Sequence, residues 1–313
     1  MFPINLMFSV IAIFITLFSP SLSAMLAGVT IKSSPFIMIE NNTFSGFCVD
    51  LMDLIQTYSG LNYSLYLVED GNYGPYSSYS NKLNGLIGDV YRKKADFAIA
   101  DMTVTEQRAR FVSFTEPFLR FSFSALVRRS LAKNLDTIDD LAIKSNLSIG
   151  TFMNGRTLLS MQIVRNDIRN VRWLYNKILQ NDSNFVTEIS KAIHKIKTEP
   201  YAFLQEEPKN LYHSSQDCSL KTLRDQNFYL PSEYAIAVPK GSPHIETFNK
   251  AIRMLKSKRA IDRLIRKYFG NAHCSSGSTR SIVHPKFIFL ILLLLDVGFN
   301  CFVNFLLRLN KIN

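Results

Sequence analysis

Apolar residues in this chain fall into short runs with two alternating periods. Phe47, Leu51, Leu54, Ile55 and Tyr58 recur at helical spacing, and Gly60 follows as a stop. Tyr63 to Val68 alternates instead, as a strand does. Val29 to Ile39 reads as a strand interrupted at Ser33-Ser34-Pro35, with a polar turn over Asn41 to Ser45. Leu83 to Arg92 predicts a short helix that leads into the apolar strand Phe97 to Ala100. Further strands are predicted at Phe121 to Arg129, Leu147 to Phe152, Tyr201 to Gln205 and Tyr234 to Val238. Thr137 and Asp140 have capping-box spacing before Leu141, and Asn154-Gly155-Arg156-Thr157 opens another helix. A basic amphipathic helix is predicted from about His244 to Tyr268, ending at Gly270. Strands alternating with helices predict an α/β architecture.

The ends of the chain differ from this middle. Leu6 to Phe18 is almost wholly apolar and is followed by Ser21-Leu22-Ser23, so residues 1–23 read as a secretory leader. Phe287 to Leu307 is apolar, with Lys286 before it and Arg308 and Lys311 after it, which fits one transmembrane helix and a tail at 308–313. Together they predict a single-pass type I protein of the plasma membrane with its main domain outside the cell. The sequons at Asn41, Asn62, Asn146 and Asn181 permit glycosylation there. The 313 residues are 47% apolar and 19% charged, enough for a sizeable core. The net charge of +11 alone would suit nucleic acid, anionic lipid or acidic small ligands. Export argues against nucleic acid. Cys301 falls in the predicted span, and Cys48 sits in the apolar run GFCVDLMDLI as a buried thiol, which leaves Cys218 with Cys274. A bridge there would close a long loop and contribute about 4 kcal/mol. The spacing is not a zinc pattern, and no metal or cofactor site is predicted.

Candidate chemistry concentrates in DFAIADMTVTEQRARFVSFTEPF, Asp96 to Phe118. A strand runs through an acidic, hydroxyl-rich turn into a helix, with Thr105 as N-cap and Arg108 in the first turn. Unpaired N–H groups, the helix dipole and a guanidinium make such a point a seat for a carboxylate. Ligands of open α/β sheets bind at the carboxyl ends of strands, where this turn lies.

Other segments join this one in order: GFCVDL (46–51), EDGNYG (69–74), GLIGDV (85–90), FTEPF (114–118), NGRT (154–157), YAFLQE (201–206) and YAIAVPKGSP (234–243). With the Cys218/Cys274 pair, the set resembles the ligand-binding core of ionotropic glutamate receptors, a fold shared with periplasmic amino-acid-binding proteins. The resemblance implies a two-lobed clamshell with two crossing segments. Lobe one would comprise 25–127 and 230–274, lobe two 128–229, with a linker at 275–286. It further implies that Arg108 clamps an α-carboxylate and that Thr103 contacts the ligand's charged ends. Glu206 would take the α-ammonium, Tyr73 would cover the ligand, and Thr157 would hold a distal acidic group. Two positions depart from the family: Asp101 stands where many members carry Pro, and Arg156 where Ser or Ala is usual. Arg156 could pair with an acidic ligand group or with Asp101, or fill the pocket. The histidines at 194, 213, 244, 273 and 284 lie outside these motifs, and no catalytic pair is evident, so an enzyme is not expected.

Channel-forming members insert a pore module between the two halves of the domain, yet Phe118 to Asp139 holds no stretch of the ~20 apolar residues a span needs. The expectation is a membrane-anchored receptor for L-glutamate or a similar amino acid, acting with glutamate-receptor-type channel subunits. The alternatives are a non-binding decoy or auxiliary subunit, or a fragment of a cation channel. Asp296, Asn300 and Asn304 share one face of the predicted span, as packing against another helix would require. Replacing Asp296 and Asn300 together by Leu is expected to reduce crosslinked oligomers in native membranes; unchanged crosslinking would exclude that packing role.

Overall fold

Residues 25–74, 83–153, 155–227 and 229–270 are described by the computed structural model. The predicted leader, Cys274 and hence its pairing with Cys218, the linker, and the predicted span with Asp296, Asn300 and Asn304 lie outside the described residues. Among the described residues no helix is long and apolar enough to cross a membrane. The strands in chain order are β1 (Leu26–Thr30), β2 (Met38–Glu40), β3 (Thr43–Ser45), β4 (Tyr63–Leu67), β5 (Phe97–Ala98), β6 (Val112–Phe114) and β7 (Leu119–Phe121). They continue as β8 (Phe123–Arg128), β9 (Ser148–Phe152), β10 (Phe185–Val186), β11 (Tyr201–Glu206), β12 (Leu220–Arg224), β13 (Ser232–Tyr234) and β14 (Ala237–Pro239).

Two five-stranded sheets result, ordered β4-β1-β5-β14-β6 and β10-β9-β11-β8-β12. In the first, β1 is parallel to β4 and β5, while β14 runs antiparallel to β5 and β6. In the second, β9 is parallel to β10 and β11, while β8 runs antiparallel to β11 and β12. Parallel neighbours need crossover connections, and helices Phe47–Ser59, Gly85–Tyr91, Arg156–Val164, Arg169–Leu179 and Ile189–Thr198 supply them. Strand alternation then gives each sheet two buried faces. Phe97 joins Leu51, Ile55, Phe248 and Ile252 on one side of the first sheet. Ala98, its neighbour in the strand, joins Leu86, Ile87 and Val112 on the other. In the second sheet Val127 and Leu204 face Leu174 and Ile178, while Leu126 and Phe203 face Ile196.

The chain passes between the sheets twice. β7 leads out of the first sheet and β13 leads back, and the two pair antiparallel, Leu119 opposite Tyr234 and Phe121 opposite Ser232. Phe123–Arg128 lies wholly in the second sheet, although the resemblance placed the lobe boundary after residue 127.

Several local expectations hold. Thr105 caps its helix, Thr137 and Asp140 form a capping box, and Gly60 ends its helix in the left-handed region at φ 72. Cys48 is a buried free thiol. All four sequon asparagines are exposed. Others change. The polar turn after Glu40 is the tip of a hairpin, with Asn41 and Asn42 at φ 49 and 59, the pair of positive angles that suits a two-residue hairpin. The strand predicted over Tyr234 to Val238 divides, because Tyr234 pairs with β7 while Ala237 pairs with β5 and β6. The single helix predicted from His244 to Tyr268 is two, Ile245–Ser257 and Ala260–Phe269, broken where Arg259 takes φ 53. No Gly or Pro marks that break. It lets Phe248, Ile252, Leu264 and Phe269 all reach the first sheet's core.

One glycine holds the Tyr73 loop against its helix. Gly85 has φ 69, and a Cβ there would lie 2.4 Å from the Asn72 carbonyl oxygen and 2.5 Å from the Gly74 nitrogen. Gly85→Ala is therefore expected to lower stability by about 2–4 kcal/mol, through both strain and clash. Denaturant titration checks this, and a loss below about 0.5 kcal/mol would refute the role assigned to Gly85.

Candidate functional site

The turn that follows β5 is held from two directions. The Ile99 N–H donates to Val29, and the Thr30 hydroxyl donates to the Ile99 carbonyl at 2.6 Å. Thr103 forms a bridge with Tyr234, and the Val104 N–H donates to the Glu233 carbonyl at 2.9 Å. The turn from the first sheet is thus fastened to the returning segment β13. The Thr105 hydroxyl then accepts from the Arg108 N–H, starting the short helix Glu106–Ala109. This directs Arg108 inward, where it is 1% exposed. Its Nη1 donates to the Thr103 carbonyl at 2.7 Å, and its Cζ lies 5.9 Å from the centre of the Tyr73 ring.

The second sheet brings its own turn to the same place. β11 ends at Glu206, which also caps helix Glu207–Gln216, with Pro208 in the first turn. Asn210 is fully buried and pins that turn. It accepts from Gln205 at 2.7 Å and donates to the Ser124 carbonyl and hydroxyl at 3.1 and 2.9 Å. Glu206 and Lys209, three apart, consequently share a face.

Two carboxylates from opposite sheets meet here. Asp101 accepts from the Tyr73 hydroxyl at 2.7 Å through Oδ1. Its Oδ2 accepts from the Ser33 hydroxyl at 2.9 Å and from the Lys209 ammonium at 2.7 Å. Glu206 accepts from the Thr103 hydroxyl at 3.0 Å through Oε1 and from the Tyr234 hydroxyl at 2.8 Å through Oε2. Lys209 Nζ stands 3.7 Å from that second oxygen. The Asp101 side chain is 0% exposed, so its oxygens depend on these partners in place of water. Burial raises the Tyr73 phenol well above its ordinary pKa, and the Asp101 charge adds to this. Tyr234 is raised likewise by burial and by Glu206. Burial works against the charge on Lys209, but Asp101, Tyr73 and Glu206 outweigh it and hold the ammonium well above the usual lysine value.

A cavity of about 160 Å³ lies among these groups, small beside the roughly 300–1,000 Å³ of drug-sized ligand sites. Six of the seven sequence-predicted residues line it: Tyr73, Asp101 and Thr103 from one side, Arg156, Thr157 and Glu206 from the other. The seventh, Arg108, lies just outside that lining, against Thr103 and Tyr73. Thr157 is buried at the start of helix Arg156–Val164. The ammonium on Asp101 is that of Lys209, a residue the sequence reading did not single out. Its spacing from Glu206, three residues on at a helix start, was the available signal. Ser33 and Tyr234 were also missed, and no local pattern marks them. Among the described residues no group of three His, Cys, Asp or Glu is placed to hold a metal ion.

Lys209 also acts on its own helix. Burial first, and the Lys209 charge second, lower the half-buried His213 to about 4. Against an unfolded value of about 6.5, the unfolded chain binds more protons between the two values. This contribution to stability is complete above about pH 6.5 and is lost as pH falls toward 4. Between about pH 7.5 and pH 5, His213→Gln should lose roughly 1–2 kcal/mol less stability than the wild-type chain. Paired thermal melts measure the difference, and parallel losses would exclude a neutral, protected His213.

Comparison with known proteins bears on the same region. Residues 24–131 match the family model for the ligated ion channel L-glutamate- and glycine-binding site. Glutamate receptor U1 of Xenopus laevis is 39% identical over 100 residues, covering 32% of this chain and 21% of that receptor. Glutamate receptor ionotropic, delta-2 of Homo sapiens is 33% identical over 137 residues, 42% of this chain and 13% of the receptor. The match therefore spans about a fifth or less of these relatives' own length. The solved Drosophila muscle GluRIIB complex with glutamate shares the fold, with a TM-score of 0.68 over 79% of this chain and 99% of that one, at 23% identity.

Proposed function

We propose that the chain carries a ligand-binding core of the ionotropic glutamate receptor family and is a membrane-anchored receptor that binds a small carboxylate-bearing molecule in the cleft between its two sheets. An amino acid of the glutamate kind is the first candidate. The carrying observation is the convergence of Tyr73, Asp101 and Thr103 with Arg156, Thr157 and Glu206 around one small cavity, with Arg108 buried beside it. In this reading Arg108 is the fixed positive charge for the ligand carboxylate. Thr103 and Glu206, which bond across the cleft, are the polar groups a ligand engages from both sides at once. Thr157 and the helix start at Arg156 receive a distal acidic group. Contacts made from both sides favour the closed arrangement, so ligand binding becomes a hinge motion.

The same reading gives the chain no pore of its own. β7 passes directly into β8, and the chain goes on through helix Ile138–Lys144 within the second half of the fold. Signalling would then fall to a pore-bearing partner in the plasma membrane. A second reading, a non-binding auxiliary subunit, draws on Thr103–Glu206 at 3.0 Å and Lys209–Asp101 at 2.7 Å, bonds by which the protein's own groups already bridge the cleft.

Thermal unfolding of the full chain in detergent, followed by the fluorescence of its one tryptophan, Trp173, separates the two. An acid or amino acid at 100 times its dissociation constant should stabilise by about 2.7 kcal/mol. Arg108→Lys keeps the charge but loses the two-pronged guanidinium, and should remove most of that shift. Absence of a shift across a panel of small acids and amino acids would establish the auxiliary reading.

A further inference from the structure

The cleft has two groups suited to holding a ligand's ammonium, the carboxylates of Asp101 and Glu206, and both already face one of the protein's own. Lys209 Nζ is 2.7 Å from Asp101 and 3.7 Å from Glu206. Hydroxyls of Tyr73, Ser33, Thr103 and Tyr234 take up further positions on the same oxygens. A carboxylate offers about four acceptor positions; Asp101 already has three donors and Glu206 two, so Asp101 is nearly filled and Lys209 supplies the cation that both carboxylates face. We propose that Lys209 stands in for a ligand's ammonium, so that the cleft selects a small carboxylate that lacks an amino group.

Charge supports this choice. Among the residues lining the cavity, Asp101 and Glu206 balance Arg156 and Lys209, and Arg108 beside them adds one positive charge. An acid with no ammonium meets that excess directly. An amino acid would place a second ammonium beside Lys209, where like charges in a poorly solvated space repel. The position of Lys209 is also well determined, because Asn210 next to it is fastened to Gln205 and Ser124. The high ammonium pKa of Lys209 keeps it charged at physiological pH.

The inference rests on the proposed carboxylate-binding cleft. It is tested on the full chain in detergent by calorimetric titration with two matched pairs of ligands, glutarate against L-glutamate and butyrate against L-2-aminobutyrate. Members of each pair share a carbon skeleton and differ in the α-amino group. The wild-type chain should bind at least one amino-free acid about tenfold or more tightly than its amino partner. Lys209→Met should shift that ratio about tenfold or more toward the amino acid. Because Lys209→Met leaves Asp101 buried without its cation, the double variant Asp101→Asn with Lys209→Met is measured as well and should shift the ratio the same way. Wild-type preference for the amino acids, or ratios unchanged in both variants, overturns the inference; if that binding is still lost in Arg108→Lys, the cleft reading stands. No binding of any of the four compounds, together with no Arg108-dependent ligand in the thermal panel, overturns both.

Discussion

The antiparallel pairing of β7 with β13 is the contact through which the two sheets and the cleft are joined. It is only three residues deep on each strand, yet its far end, Tyr234, has three tasks. The ring is fully buried against Phe36, Phe118 and Phe121, which ties the crossing to the first sheet's core. The backbone bridges Thr103, which fixes the turn carrying Asp101. The hydroxyl donates to Glu206, at the end of a strand in the second sheet. A displacement of one half against the other therefore has to alter contacts at the cleft. The bonds described across that cleft end on the carboxylates of Asp101 and Glu206, and a hydrogen bond to a charged group contributes about 1.5–3 kcal/mol, so a ligand that displaces them must replace those contacts.

Asp101 sets the chemistry of the cleft. A carboxylate with a fully buried side chain must be satisfied by nearby donors. It recruits Ser33 and Tyr73 from the first half and Lys209 from the second. In doing so it draws the helix start at Glu206 toward the turn at Thr103. Asp101 thus acts as a bridging group between the halves, and it places the Lys209 ammonium beside Glu206. In the proposed reading, ligand class depends on Lys209, a residue the motif set does not contain.

The legible parts share a physical cause. Helix Phe47–Ser59, the caps at Thr105 and Thr137, and the strands β4, β9 and β11 follow from local spacing and side-chain-to-backbone bonds, which need no distant partner. Arg108 was legible in the same way, from its place at a helix start, whereas Asp101, Thr103 and Glu206 were singled out through the resemblance of their motifs. The missed features depend on distant partners. Nothing near Arg259 marks the helix break, which answers to packing against the first sheet's core. Nothing near Tyr234 shows that its strand changes partners within a few residues.

By itself, the sequence determined an α/β chain with polar turns at its strand ends, since hydrophobic period, capping residues and turn composition act over a few residues. Tertiary structure alone decided which turns meet. Asp101 and Lys209 are far apart in the chain, and their contact exists only because β7 and β13 bring the ends of β5 and β11 face to face. That encounter changes the opening seat for a carboxylate into a cleft that already contains its own ammonium, because a buried charge takes the nearest opposite charge the fold supplies.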